Sequence, residues 1–166
     1  TTSPPPLRTA GDGNCCAATT TVSSSFTNNG LIELTAVTVP TSSQLVMSSG
    51  TLTNAVGATI ESAVGVGGGR FLNGTLVNQG TLLVGQPLTL TGVGGASTNS
   101  GTVTVNADLA LNQSGGSFTN TGTVTIGTGR TWTVTGGTLN QQGTLGGAGT
   151  LSLNSATANL TTSFTN

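Results

Sequence analysis

The sequence predicts an all-β fold, a right-handed, three-sided parallel β-solenoid (β-helix) wound in 21-residue coils. Three observations carry that expectation. Gly80, Gly101, Gly122 and Gly143 stand 21 residues apart, and each is followed by threonine. Around them, apolar residues alternate with Thr, Ser or Asn in short runs, as in a strand with one face inward and one outward. Glycine recurs through most of the chain, and Thr, Val and Ser stand where a helix would need better helix formers.

The core follows from the columns. One inward column is Leu82, Val103, Val124 and Leu145, with Val84, Val105 and Ile126 beside it until Gly147 interrupts. A second strand supplies Leu88, Leu109 and Leu151, then Leu90, Leu111, Trp132 and Leu153. On that alignment Arg130 intrudes into the first of these two columns, and Trp132 fills core in the second. A third strand supplies Leu76, Phe118, Leu139 and Leu160, with Ser97 as the exception. The corners fall at the repeated Gly80 set, at Gly85, Asn106 and Gly127, and at the pairs Gly94-Gly95, Gly115-Gly116 and Gly136-Gly137. Glycine suits a tight corner because it reaches positive φ without a steric penalty. Asn78, Asn99, Asn120 and Gln141 form a polar column before the first corner, where stacked amides can hydrogen-bond along the solenoid as a structural ladder.

Upstream, Leu52, Asn54, Gly57 and Ile60 outline a longer coil, and Phe26, Asn28, Gly30 and Ile32 another. Residues 26–166 therefore read as the solenoid, with irregular longer coils over 26–73 and regular coils over 74–166, about six to seven in all. Right-handedness follows from the handedness of parallel crossovers. Residues 1–25, rich in Pro, Gly, Thr and Ser, read as an extended N-terminal arm able to lie along a neighbouring subunit.

Composition narrows the function. Only 4% of the 166 residues are charged, and His, Lys and Tyr are absent. Three arginines, Arg8, Arg70 and Arg130, and a net charge of -1 provide no phosphate-binding surface, so no nucleic-acid partner is expected. No apolar run is long enough for a membrane-spanning helix. The start at Thr1-Thr2-Ser3-Pro4 leads us to expect an exported, secreted or surface-bound chain whose signal has been removed.

Little chemistry is offered. Catalysis normally needs titratable groups held together, and Asp12, Asp108, Glu33 and Glu61 are scattered along the chain without an imidazole or amine. No enzyme, catalytic residue, cofactor or metal site is expected. Asp12-Gly13-Asn14 lacks the further oxygen ligands of a calcium loop. Adjacent Cys15 and Cys16 leave three readings: disulfides to another subunit, a strained vicinal ring, or two thiols. Sequons occur at Asn73, Asn112 and Asn159, and no function is read from them.

The motif Phe118-Thr119-Asn120-Thr121-Gly122, echoed by Phe26-Thr27-Asn28-Asn29-Gly30, resembles the FxNxG-type repeats of secreted bacterial β-solenoid adhesins, the filamentous-haemagglutinin-like and autotransporter passenger proteins. The resemblance covers about residues 26–166. It implies an extracellular or cell-surface bacterial protein serving adhesion, biofilm or fibre building, and carries over no binding residue.

Ser163-Phe164-Thr165-Asn166 repeats the tetrapeptides at Ser25–Asn28 and Ser117–Asn120, where coils open. The first expectation is therefore a self-assembling extracellular structural protein, a homopolymer stacked head to tail, with Phe26, Leu160 and Phe164 at the junction. The alternative is a stalk or binding module of a surface adhesin, with host or cell-surface components as partners. A third reading is ice binding, because Thr102-Val103-Thr104 and Thr123-Val124-Thr125 stack as in flat β-solenoid antifreeze proteins, although Leu83 and Gly146 break the array.

Overall fold

The computed structural model describes residues 4–12, 16–92 and 94–162. Its strands pair in parallel, and no helix occurs among the described residues. One sheet holds seven strands, one from each coil: Leu7–Ala10, Leu31–Thr35, Thr59–Ser62, Thr81–Val84, Thr102–Val105, Thr123–Ile126 and Thr144–Gly147. A 12-stranded sheet forms the other two faces. It is continuous because Ser43–Asn54 and Arg70–Asn78 run through both faces, with a register shift between Val46 and Thr51. Elsewhere a turn separates the second face, as in Leu109–Asn112, from the third, as in Ser117–Asn120. The architecture is a three-sided parallel solenoid of seven coils.

Residues 1–25 are not an arm over their described strands. Leu7–Ala10 pairs in register with Leu31–Thr35, and Ala18–Val22 with the start of Ser43–Asn54. The solenoid therefore begins at Leu7 and not at residue 26. The misreading has a physical source: the first coil's strands are mostly Thr and Ala, and its core is thin. Thr9 and Thr20 meet inside it through their hydroxyls at 2.8 Å, which replaces the apolar contact of later coils.

The core is the stack of inward columns. Leu82, Val103 and Val124 are buried in register, and Leu145 above them is half-buried. Ser97, the exception in the Leu76–Phe118–Leu139 column, is buried and accepts a hydrogen bond from Leu76 N at 3.1 Å.

Three expected alignments are corrected. Trp132 pairs with Leu109 and Leu151, and Val134 takes the place beside Leu111 and Leu153. Arg130 sits in no core column but on the exposed corner Gly127–Arg130. The third-face residue above Leu139 is Ala158, while Leu160 lies above Gln141. The sixth coil has two extra residues in its second corner and two fewer at Gly136-Gly137, so the 21-residue glycine period survives while the register between the corners moves. The last coil is shorter, placing Asn159 19 residues after Asn140.

The corner glycines divide into two kinds. Gly94, Gly115, Gly136 and Gly137 have positive φ, as a tight turn requires. The Gly80 set does not. A Cβ on Gly122 would lie 2.1 Å from the carbonyl oxygen of Gly101 in the coil below. There glycine is required because two backbones touch.

Candidate functional site

Three places combine unusual chemistry with fixed geometry: the amide ladder, a buried arginine, and the apolar surface of the last described coil.

The ladder lies inside the first corner. Nδ2 of Asn28 donates to Oδ1 of Asn54 at 2.8 Å, Asn54 to Asn78 at 2.7 Å, Asn78 to Asn99 at 2.6 Å, and Asn99 to Asn120 at 2.7 Å. Asn120 completes it by donating to Oε1 of Gln141 at 3.1 Å. The same amide groups reach backbone carbonyls of the corner, as Asn78 does to Gly80 and Thr102. Four of these six residues stand out at the 21-residue period. Asn28 and Asn54 extend the ladder downward through coils of 26 and 24 residues, and the longer coils hide them from a fixed period. Every rung is buried. The column is structural, since its amides are spent on one another and on the backbone.

Arg70 is fully buried and occupies the column of Leu88, on top of Ser43. Among the described residues it has no carboxylate within ion-pair distance. Its Nε donates to Leu34 O at 3.1 Å, and Nη1 donates to Gly67 O at 2.7 Å and to Gly68 O at 3.0 Å. Burial lowers its pKa while Asp12 acts in the opposite sense. Arginine still keeps its charge in proteins, so the carbonyls solvate a cation and pin the glycine-rich loop to the corner. Asp12 fastens the adjoining loop by accepting from Val37 N and Thr38 N; these two bonds, in that order, hold its carboxyl below the usual carboxylate range. Sequence reasoning missed Arg70 because its neighbours in the column come from coils of different length.

We expect Arg70→Met to destabilise the early coils by about 2–4 kcal/mol, since several buried carbonyls lose their donor. Hydrogen exchange should speed up over residues 63–69. Arg70→Lys should restore only part of the loss, because an ammonium lacks the planar fork.

The acids are brought closer than their sequence separation implies. Glu33 and Glu61 are register partners on adjacent coils of the first face. Glu33 is engaged by Arg8, with Nε to Oε2 at 3.0 Å. Asp108 accepts from Thr131 N at 3.0 Å and so steadies the lengthened corner of the sixth coil. Among the described residues, no group of three or more His, Cys, Asp or Glu side chains could hold a metal ion. Cys15 lies outside the described residues; Cys16 is exposed.

The last described coil exposes apolar side chains on the strands that continue the core columns. Leu153 and Leu160 are 46% and 47% exposed, and Leu145 and Leu151 are half-buried. They border an open hollow of about 580 Å³ with Ile126 and Gly146–Gly149. Leu160 also ends the amide column, replacing the next polar rung with an apolar surface. Phe26, at the opposite end of the third face, is half-buried beside Leu52. Phe164 lies outside the described residues.

Comparison of the chain with protein-family models, curated proteins and solved structures found no match.

Proposed function

We propose that this chain is a structural subunit of an extracellular fibre or matrix polymer, in which the last coil of one copy carries the first coil of the next. The observation that supports the reading is the partly exposed apolar layer of Leu145, Leu151, Leu153 and Leu160. A solenoid's terminal strands also have one row of backbone N–H and C=O groups without a neighbouring coil, and such edges are ready templates for another strand. Burying that layer supplies affinity, and backbone pairing supplies direction and register. The near absence of charge removes any electrostatic barrier to stacking copies. This reading places the protein outside the cell and assigns it no catalytic role.

A bacterial surface adhesin, with the solenoid as stalk or binding module, is the second reading. It is favoured by the FxNxG pattern, whose Asn and Gly build the ladder and the touching corner in Phe118–Gly122.

Leu153→Asp and Leu160→Asp separate the two. Both residues are about half-exposed in the last coil, so each variant should keep its β-sheet circular dichroism. Each should lose sedimentable polymer if copies stack there. Polymer that forms equally well in both variants would remove the end-to-end junction.

A further inference from the structure

The first face has a surface that the proposed assembly does not use. Thr59, Thr81, Thr102, Thr123 and Thr144 are register partners on five successive coils, all pointing outward. Beside them, two residues along each strand, Thr104 and Thr125 begin a second row above Leu83. The longer row extends the threonine pairs visible in the sequence by two coils below and one above. Among the described residues, none of these seven threonines has a hydroxyl bonded to a protein group, whereas on the third face Thr119 accepts from Asn140.

Position and stiffness make this an array and not a scatter of polar residues. Strand spacing sets the hydroxyls of a row about 4.8 Å apart, and the two rows lie about 6.6 Å apart. The long row spans about 19 Å. Threonine is β-branched and restricted at χ1, so each hydroxyl and methyl is held largely in place before any ligand arrives. From the fourth coil upward this face carries no charged side chain; Arg8, Glu33 and Glu61 all lie on the first three coils. It carries no aromatic side chain either, and so lacks the stacking platform that would favour a sugar ring.

We propose that this threonine array binds the surface of ice. An uncharged, regularly spaced set of hydroxyls and methyls can anchor and order waters that are themselves in a periodic lattice, and water-mediated bonds cost little affinity. Charged groups would impose ion hydration instead; they lie on the first three coils, with Glu61 beside Thr59 at the lower edge of the array.

The test is freezing-point depression relative to the melting point, with crystal shape, on the purified chain. The unmodified chain should show a freezing gap and faceted crystals. Thr123→Lys should abolish both with the circular dichroism unchanged, whereas Thr98→Lys on the third face should leave both intact. Thr104→Val, which removes a hydroxyl and retains the branched shape, should reduce the gap and guards against misfolding in the lysine variant. No gap in the unmodified chain at high concentration overturns the proposal. Equal loss from Thr98→Lys does the same, as does retention on crystalline cellulose or chitin without any freezing gap. Leu153→Asp should keep the freezing gap even where it abolishes polymer, so failure of the fibre reading is distinguishable from failure of this one.

Discussion

Val124→Asp should unfold the solenoid around its sixth coil and lower the melting temperature by roughly 10 °C or more. Val124 is fully buried between Val103 and Leu145. A lone carboxylate there has no cation within the column, and an uncompensated buried charge costs about 3–5 kcal/mol. Because each coil contacts only its neighbours, the damage should show as local loss of exchange protection in the fifth to seventh coils before global melting. Thr123→Asp is the control. It places the same charge one residue earlier on the outward side, where surface substitutions usually stay within about 0.5 kcal/mol. Equal losses in the two variants would mean that the inward and outward phases are exchanged.

Asn99→Leu should cost nearly as much through the polar interior. The change removes the acceptor of Asn78 Nδ2 and the donor to Asn120 Oδ1, both within buried rungs. Asn78 Nδ2 keeps the carbonyls of Gly80 and Thr102, but Asn120 Oδ1 and the carbonyls of Gly101 and Thr123 lose the Asn99 donor. A buried group left unpaired costs about 1–3 kcal/mol, so the total should be about 2–4 kcal/mol. Gln141→Leu at the top rung breaks one ladder bond and already has Leu160 above it, so it should cost about half as much. Chemical denaturation midpoints for the pair decide the point. A ladder that mattered only by filling space would tolerate leucine equally at both rungs.

How far the sequence speaks follows from where the chain keeps its period. Over coils four to six of the first face, alternation and glycine spacing act together, and the columns Leu82–Val103–Val124 lie as the pattern predicts. The ladder was legible there for the same reason. Legibility fails where one corner lengthens and the next shortens. The glycine marker returns on time at Gly143, yet Trp132 has moved to the neighbouring column and Arg130 out of the core. It fails again in the early coils, where Asn28, Asn54 and Arg70 become partners of later residues only after longer loops are folded away. Three-dimensional register also gave the corner glycines their reason, since contact between coils is invisible to a φ-based argument. Glu33 and Glu61 show the same limit from the other side: 28 residues apart in the chain, they are neighbours on the sheet.

The end-to-end reading is tested most directly by electron microscopy and sedimentation of the purified, unmodified chain over a concentration series. Seven coils at one strand spacing each give a subunit rise of about 34 Å. The account predicts unbranched filaments one solenoid wide at their thinnest, with an axial repeat near that rise and continuous strand spacing across subunit boundaries. A chain that remains monomeric at high concentration, or that associates only sideways with its end layer still exposed, would contradict it.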